Sequence, residues 1–131
     1  MASMLVALPL LGALPPSLYR KAQSRSSDVL TIEVKKVLTY RYRHNRLYVK
    51  ARAKVLSVQR SSRWMRRGSW ITIRYRTFRR LPRGTFGAAP IPVLQKGHKY
   101  RAYLKRQRHS WYYTPAAGAR SFKTLHKKVR F

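Results

Sequence analysis

Four arginines, Arg60, Arg63, Arg66 and Arg67, gather around Trp64 and Met65 in the run QRSSRWMRRG. A guanidinium group forms paired hydrogen bonds to a phosphate and stacks on flat rings, and an indole among such groups offers a platform for a base. A solvated loop has little use for that tryptophan, so this cluster points to recognition of a polyanion. Arg79, Arg80 and Arg83 extend the same patch. Arginine also outnumbers lysine by twenty to eleven, which favours the same chemistry.

Chemistry of other kinds finds few residues to carry it. General acid and base work by paired carboxylates needs two acids in one pocket, and the chain has only Asp28 and Glu33, both at the entry to its first strand. The histidines His44, His98, His109 and His126 are widely spaced and have no neighbouring carboxylates, so they signal neither a metal site nor an oriented base. There is no G-x-S-x-G elbow and no S-x-x-K motif, and Gly84 to Gly87, GTFG, lacks the Lys-Ser/Thr of a phosphate-binding loop. With no cysteine, disulfides and thiolate metal sites are impossible. The expectation is a non-enzymatic protein with no catalytic residue, no metal and no cofactor.

What remains is charge. Thirty-one Lys and Arg face two acids, for a net charge of +29 over 131 residues. The chain cannot neutralise itself, so a negative partner is implied. RNA in a ribonucleoprotein particle accounts best for the charge, with an anionic membrane surface or acidic polysaccharide as the alternative for an exported module. Hydrophobic residues at 44% and aromatic residues at 12% are enough for a core, so the chain is no disordered tail. At this length one domain is expected.

The first nineteen residues carry no charged side chain, and Met4 to Leu14 is apolar but interrupted by Pro9. Eleven residues fall short of the roughly 20 that span a bilayer, which excludes a transmembrane anchor there. Residues 1–28 read as an apolar extension or a targeting segment, either a signal for export or an organelle transit peptide. Residues 29–122 read as the folded domain. Residues 123–131 read as a mobile basic tail.

Within the domain the dominant period is two. Val29 to Arg43 forms a first strand with Leu30, Ile32, Val34, Leu38, Tyr40 and Tyr42 on its inner side, interrupted by Lys36. Arg46 to Val58 forms a second, in which Leu47, Val49, Ala51, Ala53 and Val55 point inward until Leu56 and Val58 switch parity, the signature of a bulge near Val55. His44-Asn45 joins the two as a hairpin. After Gly68 comes a third strand with Ile71, Ile73, Tyr75 and Thr77 inside, then a proline-rich connection without regular structure before Val93. Gly97 opens a fourth strand with Tyr100, Ala102 and Leu104 inside, and Ser110 to Thr114 forms a fifth. Five short strands, a bulged hairpin and a long third connection predict an all-β fold, a small five-stranded antiparallel OB-like barrel.

This inward parity turns Lys50, Arg52 and Lys54, Arg74 and Arg76, and Lys99, Arg101 and Lys105 outward. Tyr48, Trp70 and Tyr103 share the outward side. Together they predict a continuous cationic wall with interleaved rings, a surface that tracks a phosphate backbone and stacks bases.

The order VKARAKVLSV, GSWITIRY, GHKYRAYLKR resembles the barrel core of netrin-like and metalloproteinase-inhibitor-like OB modules. PIPVLQKGHKYRAYL with YYTPAAGARSF is similar to small exported proteins of unassigned function. The resemblance covers roughly Val29 to Phe122 and implies a barrel fold and an exported role. The chain departs from netrin-like modules in having no cysteine, and no functional residue is carried over.

Overall fold

The computed structural model describes residues 15–78, 90–108 and 110–125. The apolar run Met4 to Leu14, Arg79, Arg80 and Arg83, the GTFG loop, His109 and His126 with the end of the basic tail lie outside the described residues.

Six strands follow one helix: α1 Pro16–Arg25, β1 Asp28–Arg43, β2 Arg46–Arg60, β3 Trp70–Phe78, β4 Lys99–Arg106, β5 Tyr112–Pro115 and β6 Phe122–Thr124. The sheet order is β1-β2-β3-β5-β4-β6, and a further β1–β4 pairing closes the first five strands into a barrel. All described pairings are antiparallel except β3–β5, which is parallel, so the wholly antiparallel barrel expected from the sequence is corrected at that one seam. The seam runs parallel because β4 follows a long crossover and lies beside β1, and β5 then turns back from β4 to meet β3.

The core is what alternation dictates. Leu30, Ile32 and Val34, Val49, Ala51, Ala53 and Val55, Ile71, Ile73 and Tyr75, and Tyr100, Ala102 and Leu104 all bury inside the barrel. The rings of Tyr75 and Tyr100 pack on Phe122, with centroids 5.7 and 6.1 Å from it. One end is closed by the segment before β4. Leu94 is buried there, Tyr75 donates its hydroxyl to the Pro92 carbonyl at 2.8 Å and accepts from the Leu94 amide at 3.0 Å, and Tyr100 accepts from the Gln95 amide at 3.0 Å.

Two of the four register shifts between β1 and β2 decide which side chains face inward. Leu56 is skipped in the β1–β2 register, which places the expected bulge beside Val55, and there the Val55 amide turns to the Ser69 carbonyl while Gly68, at φ +91°, donates back to Val55. Lys35 is skipped as well. This second bulge exchanges the two sides of β1, so Leu38, Tyr40 and Tyr42, expected inside, stand 38%, 54% and 43% exposed on the outer surface. The hairpin beyond it turns through Asn45 at φ +65°, a left-handed conformation that Asn tolerates.

The part of the N-terminal extension that is described holds a helix. Pro16 supplies the fixed φ of a first helical residue, and α1 docks on the barrel through Tyr19, which is buried under the guanidinium of Arg120 at 5.3 Å. Gln23 fastens the contact by donating to the Arg120 carbonyl at 2.8 Å. At the other end Lys123 and Thr124, expected in the tail, pair with β4 as part of β6. No helix among the described residues is long and apolar enough to cross a membrane.

Candidate nucleic-acid interface

The outer face of β1, β2 and β3 is built by register. Cross-strand neighbours on it are Lys36 and Arg52, Leu38 and Lys50, Tyr40 and Tyr48 between β1 and β2, and Tyr48 and Arg76, Lys50 and Arg74, Arg52 and Thr72, Lys54 and Trp70 between β2 and β3. All of these but Leu38 and Thr72 are cations or rings. Lys50, Arg52, Lys54, Arg74 and Arg76 are brought together here with Tyr48 and Trp70, as the sequence pattern predicts.

The rings hold the cations. The Arg74 guanidinium lies between Tyr48 and Tyr112, 5.6 and 5.0 Å from their centroids, and its buried Nε has no hydrogen-bond partner among the described residues. Arg52 lies over Trp70 at 5.5 Å, Arg76 over Tyr42 at 5.7 Å and Arg46 over Phe78 at 5.6 Å. Such contacts are worth about 0.5–1 kcal/mol each at an exposed site and leave the positive charge uncompensated.

Of the two acids only Glu33 reaches this face, opposite Lys54 at its edge, and no acid stands in register with Lys36, Lys50, Arg52, Arg74 or Arg76. Asp28 is buried and accepts hydrogen bonds from Ser27 Oγ, Ser61 Oγ, Ser62 N and Ser62 Oγ at 2.7–3.0 Å, so it anchors the start of the β2–β3 loop. Glu33 pairs with Lys35 at 3.2 Å, the one ion pair among the described residues. Two like-charged pairs, Lys36 with Arg52 and Lys50 with Arg74, thus face each other with no acid beside them in the register. Like charges directly opposite in a sheet cost roughly 0.2–1 kcal/mol each.

The expected wall reaches β4 through Glu33, which stands in register between Lys54 of β2 and Lys99 of β4. Lys99 and Arg101 lie opposite Glu33 and Thr31 on the first half of β1, and Arg101 and Tyr103 share a cleft with Gln23 and Ser24 of α1, Gln59 and Arg60. Lys105 lines another groove with Lys21 and Arg25 of α1, Arg106 and Ser62. Barrel closure carries β4 round to this second flank, and α1 covers part of it. The Arg60–Arg67 loop lies at the end of β2 opposite the His44-Asn45 turn. Within it Trp64 is 81% exposed with Arg66 over its ring at 4.2 Å, whereas Arg60 donates to the Gln23 carbonyl at 3.0 Å and serves to hold α1. Of this loop Arg63, Arg66 and Arg67 with Trp64 remain as surface groups.

Sequence reasoning missed Lys36, Tyr40, Tyr42, Arg46, Phe78, Trp111 and Tyr112 as parts of the face. The adjacent lysines Lys35-Lys36 were the available signal for the first three, since two consecutive charges cannot both obey a period of two. Among the described residues no three His, Asp or Glu side chains come together as a metal ion requires. No family model, curated protein or solved structure matches the chain.

Proposed function

We infer that the protein binds RNA without catalysing a reaction, as a component of a ribonucleoprotein, and that the outer face of β1–β2–β3 is where the RNA lies. The single observation that carries this reading is the set of like-charged cross-strand pairs, Lys36 with Arg52 and Lys50 with Arg74, held among aromatic rings with no acid in register with either pair. A fold gains nothing from such pairs, whereas a phosphate backbone neutralises them and its bases use the rings. Support at the level of architecture comes from OB-like barrels in general, whose second and third strands form an oligonucleotide-binding face. The Arg63–Arg67 loop, at the far end, supplies a second phosphate contact. The kinship with netrin-like modules suggested by the strand order would instead favour an exported protein lying against anionic lipid or acidic glycan.

Fluorescence anisotropy with a labelled 20-nucleotide RNA, read from roughly 50 to 300 mM salt, tests the assignment. Log affinity is expected to fall linearly with log salt with a slope of about −4 or steeper, and Lys50→Glu with Arg74→Glu to reduce that slope by about 1.5. A flat profile, or retention on anionic vesicles with no RNA binding, overturns it.

A further inference from the structure

Beside the strongest charge on the face lies a pocket of about 150 Å³, lined by Lys36 and Leu38 of β1, Lys50 and Arg52 of β2, Thr72 of β3 and Trp111 from the turn before β5. A cavity on the order of 150 Å³ is the size that takes one benzene-like ring. Trp111 is 65% exposed and stands edge-on to Tyr112, with centroids 6.3 Å apart and planes at 87°, so its own ring is left unstacked. The turn that carries it is held in place. The Gln107 amide donates to the Tyr112 carbonyl at 3.2 Å, Arg106 Nε to the Ser110 carbonyl at 3.2 Å and Gln107 Nε2 to Thr114 Oγ1 at 2.9 Å.

The geometry points to a site for a single unpaired nucleobase, stacked on Trp111 against Leu38 with Thr72 at its edge, while Lys36, Lys50 and Arg52 take the phosphates on either side. This inference rests on the RNA-binding reading and deepens it: the face takes single-stranded RNA, or an unpaired base within folded RNA, in preference to a duplex. A duplex keeps its bases stacked on one another and has none to offer a pocket. Three cations around one ring-sized cavity match a nucleotide, in which an aromatic ring and its charges come from one residue of the polymer. An acidic polysaccharide offers charge without a flat π face and would meet tryptophan through the C–H face of a sugar ring, an outcome the comparison with heparin separates.

Trp111→Ala and Trp111→Phe, compared with the unaltered chain, test the pocket by anisotropy against a 12-nucleotide oligouridylate, a 12-base-pair RNA duplex and heparin. Trp111→Ala is expected to weaken oligouridylate binding about tenfold or more, with the salt slope unchanged, because the loss is stacking and not charge. Trp111→Phe is expected to restore most of it, and heparin and duplex affinities to stay within about twofold. Quenching of tryptophan emission by oligouridylate is expected to diminish in Trp111→Ala and to persist in Trp64→Ala. Oligouridylate affinity unaffected by Trp111→Ala overturns the pocket while leaving RNA binding standing. An equal loss for heparin overturns it in favour of a sugar ring, and failure of the unaltered chain to bind any RNA removes the functional reading first.

Discussion

Tyr75 shows how one hydroxyl can serve both packing and closure. Burial pushes its phenol above the ordinary range, partly opposed by the hydrogen bond from the Leu94 backbone, and Tyr113 is raised too, by burial first and then by the charge of Asp28. Below about pH 10 both phenols are neutral in the folded and unfolded chains, so their contribution is fully present. As pH rises further the unfolded chain releases these protons and the folded one keeps them, so stability falls, for Tyr75 by at most about 1.4 kcal/mol per pH unit. Tyr75→Phe is expected to lose about 1–2 kcal/mol at pH 7, because the Leu94 amide and Pro92 carbonyl lose their partner, and to lose less than the unaltered chain between pH 7 and 11. Urea midpoints at the two pH values give both quantities, and equal alkaline losses in the two proteins would refute the assignment. At the same scale Asp28, which as a lone acid suggests no role in the sequence, is the anchor of the Arg60–Arg67 loop.

Elements were legible wherever one strand repeats a period of two without a break. The inner sides of β2, β3 and β4 follow directly from Val49 to Val55, Ile71 to Tyr75 and Tyr100 to Leu104, because a slip of one residue would put every cation of those strands into the core. The bulge beside Val55 was equally readable, since apolar residues lie on both sides of the parity switch. Beyond Lys35 the pattern misleads: Leu38, Tyr40 and Tyr42 keep the parity of Leu30 to Val34, and only the extra residue in the register turns them outward. Helix α1 was hidden for a different reason, since ten residues bearing one buried side chain, Tyr19, show no apolar stripe. The place of β4 beside β1 depends on barrel closure, a long-range pairing that no local pattern encodes. The like-charged pairs left on β1–β3 give a prediction of their own. Lys50→Glu places an acid opposite Arg74 and is expected to raise the thermal midpoint by about 0.5 kcal/mol equivalent, roughly 2–3 °C, while weakening RNA binding. A variant less stable as well as weaker would mean that Lys50 serves the fold, and calorimetry beside the anisotropy titration decides between the two.

Across the whole molecule the same imbalance becomes a property of folding. With +29 on 131 residues and a single ion pair among the described ones, compaction brings like charges together and gains almost no internal neutralisation. Salt should therefore act in the direction opposite to its effect on a protein stabilised by ion pairs. Raising ionic strength from about 0.05 to 0.5 M shortens the screening length from roughly 14 to 4 Å, which weakens repulsion between the β1–β3 face, the Arg60–Arg67 loop and the β4 flank. The thermal midpoint is expected to rise with salt, as much in chloride as in other weakly interacting anions. A polyanion that binds only the folded chain adds to this by mass action: at about a hundred times its dissociation constant, oligouridylate contributes roughly 2.7 kcal/mol, or about 10 °C. Because salt relieves repulsion and also weakens RNA binding, the two gains cannot be summed. The increment from oligouridylate is expected to shrink steadily as the midpoint of the free protein climbs. A midpoint that falls with salt would show that ion pairs dominate the fold, and an oligouridylate increment independent of salt would show that its binding does not run through the cations of the face.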